Sequence, residues 1–322
     1  MQHISSLIGD ELEKVEKELV NILSSDVPII NKAGGYIIGS GGKRFRPLML
    51  LLAAKYCNYR GGKHINLACI FEYIHTATLL HDDVLDHAKI RRGNSSVNSV
   101  WGNQISVLVG DYLLSKAFSL LVEIGDIKIM KVVSDATTQV AEGETMQTEK
   151  SSDANLTEEE YITIISKKTA SLISAACQTG AILGGSSPGT EDSFRNYGLN
   201  LGIAFQMVDD ALDYISEDQR FGKSIYKDLQ EGKITLPLIH ALEEASTKDR
   251  EKILKIMKSD CLDEKNSSVI TELIEEYQGV TYVFSKAREY VDLCMGYLKE
   301  LDSSPVRDAL IATANYAVER KW

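Results

Sequence analysis

Apolar residues recur every three or four positions almost from end to end of this 322-residue chain, and only five prolines interrupt them. The run Ile65, Cys69, Ile70, Tyr73, Ile74 and Ala77 is representative, a spacing that lines one face of a helix. No stretch shows the strict alternation of a half-buried strand. The pattern predicts helices over residues 3–23, 28–38, 46–58, 65–87, 97–123, 127–149, 157–184, 191–217, 234–245, 248–258, 266–276, 279–301 and 304–321. Gly61-Gly62, Gly125, Gly184-Gly185 and Pro188-Gly189 punctuate them, and Thr157 with Glu160 reads as a capping box. With no Ser/Pro-rich linker to divide the chain, the expectation is an all-α fold, one helical domain over residues 1–322.

Two of these helices carry the same acidic cluster, Asp82-Asp83-Val84-Leu85-Asp86 and Asp209-Asp210-Ala211-Leu212-Asp213. The first and last Asp of each are four apart, so both carboxylates leave one helix face, roughly 5–6 Å apart at Cβ, where like charges repel. Both clusters fall near helix C-termini, where the macrodipole is already negative. Either alone reads as a solvated acidic stretch. The repetition points instead to bound hard cations, and Mg2+ characteristically takes one or two carboxylates together with substrate phosphates.

The formal charge of −11 argues against a nucleic-acid binder, which would ordinarily carry a basic face. Five scattered cysteines form no CxxC pair and suit reduced thiols in a cytoplasmic protein. The amphipathic, acidic N-terminus is unlike a signal or transit peptide. Pro47–Ala54, the longest strongly apolar stretch on this reading, is too short to span a bilayer. These features predict a soluble cytoplasmic protein with no transmembrane segment.

Familiar catalytic motifs are missing. Gly39–Arg44 lacks Walker A spacing, Gly222-Lys223-Ser224 has Glu217 where the first glycine belongs, and neither HExxH nor GxSxG occurs. The basic residues are more informative. Lys43, Arg44 and Arg46 follow a glycine pair in GGKRFRP, and Arg91 and Arg92 lie just beyond Asp86. Lys167-Lys168-Thr169 interrupt an apolar helix, and Lys223, Lys227 and Lys233 follow the second cluster. As a set they suit a polyanion, with some oxygens on metal ions and others on Arg, which binds phosphate through two parallel hydrogen bonds, or on Lys. His75, two turns before Asp82, reads equally as a core histidine or as a residue facing a ligand. Gln206, three before Asp209, is open in the same way, whereas Phe205 reads as packing.

In order and spacing, GGKRFRP, LLHDDVLDHAKIRRG, GIAFQMVDDALDY and GKSIYKDLQEGKITLPLI resemble the trans-polyprenyl diphosphate synthases, class I isoprenoid synthases. The resemblance runs from about residue 30 to the C-terminus. It implies a helical bundle with a central substrate cavity, in which an allylic diphosphate condenses with isopentenyl diphosphate. It also implies that Asp82, Asp86 and Asp209 ligate a cluster of about three Mg2+ ions, with Asp83, Asp210 and Asp213 as further or outlying carboxylates. Arg91, Lys168, Lys223 and Lys233 would hold the allylic diphosphate. Lys43, Arg46, His75 and Arg92 would hold isopentenyl diphosphate, and Thr169 and Gln206 would lie beside the reacting carbons. His75, where short-chain members have glutamine, is a feature of long-chain members.

Ionising a C–O bond to diphosphate builds negative charge on the leaving group, which metal ions and cationic side chains stabilise. By the resemblance the departing diphosphate takes the final proton, so a dedicated side-chain base is not expected. A terpene cyclase would ordinarily carry an Asn/Ser/Glu second metal motif and need no isopentenyl site. A catalytically silent partner subunit would often have lost one cluster. The residues five and four before Asp82, Ala77 and Thr78, are small where short-chain relatives have a blocking aromatic. Ile70, Phe71 and Ile74 lie deeper, and Val133, Thr137 or Val140 are candidates for the floor. About twenty residues of helix give on the order of 30 Å of path. The expected product is octaprenyl (C40), of the kind used for quinone side chains, within a range of C30 to C50. A homodimer is expected on the resemblance alone.

Overall fold

The computed structural model describes residues 2–215, 227–257 and 264–319. They divide between two compact units, each discontinuous in sequence. The first comprises residues 1–137, 172–198 and 301–310, and the second residues 138–171, 199–300 and 311–322.

The first unit contains α1 (Gln2–Ile22), α2 (Pro28–Gly39), α3 (Phe45–Tyr56), α4 (Lys63–Leu85), α5 (Val97–Trp101) and α6 (Asn103–Ile124). It also takes the first part of α7 (Ile127–Glu149). The second unit holds the rest of α7 and α8 (Glu158–Ile165), followed by a π-helical turn at Ser166–Ala170. From that turn α9 (Ser171–Leu183) and then the start of α10 (Pro188–Leu212) return to the first unit. The second unit continues with the end of α10, α11 (Lys227–Gln230), α12 (Leu236–Glu244), α13 (Thr247–Met257), α14 (Glu264–Glu276) and α15 (Gly279–Lys299). The last helix, α16 (Pro305–Glu319), contributes to both units.

The core of the first unit is built on α4, buried nearly all round from Leu67 to Ala77, as befits a helix without a polar face. It packs chiefly against α6, then α3 and α1. Tyr73 Oη donates to the Leu19 carbonyl at 2.6 Å, satisfying a buried phenol and fixing α1 on α4. In the second unit the capping box at α8 forms as expected. Glu160 N donates to Thr157 Oγ1 at 3.2 Å and Thr157 N to Glu160 Oε2 at 3.0 Å.

Three expectations need correction. The sequence pattern predicts no strand, yet β1 (Ile90–Arg91) pairs antiparallel with β2 (Asn94–Ser95). Its loop residues Arg92 and Gly93 both have positive φ, 52° and 77°, which suits a two-residue hairpin turn. The helix expected at 157–184 is not uniform, because the π-helical turn lies within it, and that expected at 97–123 breaks at Gly102. Finally, Pro47–Ala54 is not the longest apolar stretch: α6 is long and apolar enough to cross a membrane by length and composition, with 39% of its window buried.

Candidate functional site

Helical geometry sorts the first cluster into two faces. Successive residues are about 100° apart, so Asp82 and Asp86 share a face with Thr78 and His75, and all four are half-buried on a helix otherwise packed into the core. Asp83 is turned the other way and is fully buried. Its Oδ1 accepts from Arg91 Nε at 2.8 Å and Nη2 at 2.5 Å, while Oδ2 has no hydrogen-bond partner among the described residues. The pair fixes the hairpin against α4, and Asn98 Nδ2 reinforces it by donating to the Asp83 carbonyl at 3.0 Å. Arg91 therefore sits beside the cluster, held by a carboxylate that was expected to lie toward the metal. Ala77 is also in the core, 1% exposed, so of the two chain-length candidates only Thr78 lies on the half-buried face.

Around His75 the first unit gathers positive charge. Burial pushes the imidazole well below its ordinary value of 6.5, and Arg46, Arg92, Arg91 and Arg44 push it further, so the ring is neutral. Burial also lowers Arg46, to about 10, with Glu72 opposing and Arg92 adding to the shift. Among the described residues Arg46 Nε is buried without a partner. Arg92 Nη1 donates to the Gly41 carbonyl, linking the hairpin to the glycine turn that carries exposed Lys43. Arg44, grouped with these cations by sequence, belongs elsewhere: it is 6% exposed and paired with Glu16 and Glu72. Among the described residues Arg46 and Arg92 have no such carboxylate partner. This arrangement attracts an anion with several oxygens.

The second cluster repeats the two faces with different neighbours. Asp209 and Asp213 are half-buried, and Asp210 is buried. Asp210 accepts from Tyr161 Oη at 2.6 Å and from Gln206 Nε2 at 2.7 Å. Thr169 Oγ1 donates in turn to Gln206 Oε1 at 2.9 Å. Burial and the nearby Asp228 raise the Asp210 carboxyl above its usual range. Asp213 Oδ2 accepts the Asp228 amide at 3.1 Å, and Lys233 N donates to the Asp228 carbonyl at 2.8 Å. The Lys233 ammonium is bonded to Glu231 at 2.8 Å.

Lys168 and Thr169 are presented by the π-helical turn, a device common at functional sites. Lys168 Nζ donates to Gln147 Oε1 at 2.7 Å and pairs with Glu144. The turn lies so close to α7 that a Cβ at Gly143 would collide with the Lys168 amide, which is why that position must be glycine. Sequence reading missed Gly143, Tyr161 and Glu72. Only Glu72 left a plain trace, as the one charge in the apolar run LACIFEYI. Lys223 lies outside the described residues.

A family model described as "Polyprenyl synthetase" matches residues 27–277. The octaprenyl diphosphate synthase of Escherichia coli K12 is 38% identical over 324 residues, 99% of each chain. The short chain isoprenyl diphosphate synthase of Methanothermobacter thermautotrophicus is 36% identical over 326 residues, 100% of each. Among solved structures, a polyprenyl synthase of Caulobacter crescentus CB15, complexed with calcium and isoprenyl diphosphate, matches with a TM-score of 0.93. That match is at 36% identity and covers 99% of this chain and 97% of the other.

Proposed function

The chain belongs to the polyprenyl synthetase family, and from that premise we propose how its residues carry out long-chain trans-prenyl transfer. It is a prenyltransferase that makes a polyprenyl diphosphate. The substrates we assign are farnesyl diphosphate as allylic primer and isopentenyl diphosphate as the repeating unit. The observation that carries the assignment is the cationic group around neutral His75, where Arg46 and Arg92 lack carboxylate partners among the described residues. Together with Lys43 they hold isopentenyl diphosphate.

Mg2+ fits the donor set. Asp82 and Asp86 offer half-buried oxygens from one helix face, and Asp209 offers another. Among the described residues no three His, Cys, Asp or Glu side chains form a ready-made cage. Mg2+ characteristically takes one or two carboxylates together with substrate phosphates and water. When bound, about three such ions would supply electrostatic stabilisation of the departing diphosphate. By the family resemblance Arg91 in the first unit, and Lys168 and Lys233 in the second, would contact the allylic diphosphate, and Asp213 bonds the Asp228 amide in the segment that leads to Lys233. Thr169 and Gln206, tied to Asp210, present polar atoms to the reacting carbons.

Product length is read from Thr78. A small side chain on the face of α4 one turn before Asp82 leaves the growing chain room to pass, which supports an octaprenyl product. The homodimer rests on the family and on α6, whose Val107, Leu108 and Val122 are exposed large apolar residues that a second copy would cover. A cytoplasmic location is supported by Cys57, Cys69 and Cys177, none of them in a disulfide.

Mass spectrometry of the products formed from farnesyl and isopentenyl diphosphates with Mg2+ tests the assignment. A series ending at C40 is expected. Consumption of the allylic substrate alone, as by a cyclase, would refute it.

A further inference from the structure

Arg44 stands in the middle of the GGKRFRP turn yet is withdrawn from the cationic group its neighbours form. Its backbone is left-handed, φ 46° and ψ 41°, a conformation that is strained for a non-glycine residue and persists only where the surroundings impose it. Here they do. Nε and Nη2 donate to the two carboxylate oxygens of Glu16 at 2.6 and 3.0 Å, a bidentate fork. Nη1 donates to Glu72 Oε1 at 2.6 Å, and Nη2 also reaches the Ile38 carbonyl at 2.9 Å. One guanidinium thus joins α1, α2 and α4 at the start of α3. Lys43 precedes this residue and Arg46 follows it by two, so their direction depends on its conformation.

Glu72 has a second role. Its charge also bears on Arg46, whose buried Nε lacks a partner among the described residues. With Arg44 in place, Glu72 is occupied and Arg46 stays available to substrate. Without Arg44, a buried, unpaired Glu72 is left with the other cations its charge bears on, Arg46 and Arg92, because an uncompensated buried charge is strongly unfavourable.

We propose that Arg44 is a positioning residue for the isopentenyl diphosphate site: clamped by Glu16 and Glu72, it sets the turn that presents Lys43 and keeps Glu72 from capturing Arg46. The proposal rests on the reading of the chain as a prenyl synthase, and Arg44 itself does not touch substrate.

The test compares wild type, Arg44→Met, Arg44→Lys and the double variant Arg44→Met/Glu72→Gln, with initial rates measured against each substrate and thermal unfolding alongside. Arg44→Met should raise KM for isopentenyl diphosphate about tenfold, equivalent to about 1.4 kcal/mol, with kcat and the allylic KM close to wild type. Arg44→Lys, which keeps the charge and loses the fork, should give a smaller rise. It also preserves the test if the Met variant does not fold. The double variant should recover part of the isopentenyl KM, because the competing carboxylate is gone while the turn still lacks its clamp. A fall in stability and kcat with both KM values unchanged, or no recovery in the double variant, would show that the clamp only supports the fold and would overturn the proposal. A wild-type enzyme that used no isopentenyl diphosphate would instead refute the functional reading on which the proposal stands.

Discussion

In α4 the second carboxylate of the acidic cluster, Asp83, is paired with a guanidinium, whereas in α10 its counterpart, Asp210, is bonded to a phenol and an amide. The two clusters share the DDxxD spelling, and both send their outer carboxylates to a half-buried face. That much is helical geometry, since a residue one step on is rotated by about 100° and cannot share the face. What differs is how each unit accommodates the carboxylate turned inward. The first uses it to anchor the hairpin that carries Arg91 and Arg92. The second uses it to align Gln206 and Thr169. One motif therefore supports a charged strap in one unit and a polar relay in the other.

The largest expected effect tests what the clusters share. Asp82→Ala and Asp209→Ala should each lower turnover about 10³-fold or more, since each removes an oxygen ligand from metal-assisted ionisation. Thermal stability should hold or rise slightly, because a like-charge pair is relieved. Near-normal turnover in either variant, in a steady-state assay, would break the equivalence of the two faces.

The next expectation tests what they do not share. Asp83→Asn removes the buried charge but keeps an oxygen that can accept from the partly exposed Arg91, and chemical denaturation should show a loss of about 2–3 kcal/mol, the upper range for a hydrogen bond between charged groups. Asp210→Asn keeps a group able to hydrogen-bond Tyr161 and should cost about 1–2 kcal/mol. Equal losses would mean that the two inward carboxylates are compensated alike.

Chain length gives a third test. Thr78→Phe should shorten the product to about C15–C20, since a ring one helical turn, 5.4 Å, before Asp82 obstructs the growing chain. Ala77, the other candidate, is 1% exposed: Ala77→Phe should shorten the product too if the growing chain passes inside the bundle, and otherwise should only cost about 1–3 kcal/mol of stability. Product analysis and unfolding of the pair separate a wall residue from a packing residue.

The smallest effect is a pH dependence. His75 has a folded-state value below its ordinary 6.5, so as pH falls through 6.5 the unfolded chain takes up a proton that the folded chain refuses. Stability is therefore lost on the acid side. His75→Gln should flatten the decline of stability between pH 7 and 5.5, and an unchanged decline would mean the imidazole does not contribute.

Much of this was legible in sequence, for local reasons. The limits of α7, 127–149, follow from periodicity alone, and the capping box at Thr157 is spelled out in four residues. The hairpin was not legible, because strands two residues long show no alternation. The π-helical turn at 166–170 has no glycine or proline of its own. It is accommodated by Gly143 on α7, far away in sequence. The acidic clusters were plain, but the burial of Asp83 and Asp210 depends on Arg91, Tyr161 and Gln206. Nothing in GGKRFRP distinguishes Arg44 from its neighbours until Glu16 and Glu72 are seen around it.

The central claim is that one ion-dependent reaction elongates a prenyl diphosphate on this chain, and incorporation of labelled isopentenyl diphosphate into a farnesyl primer tests it most directly. Purified protein should make labelled polyprenyl diphosphate with Mg2+, stop on chelation and resume when Mg2+ is restored. Undiminished incorporation under chelator, or no incorporation with Mg2+ present, would contradict the account.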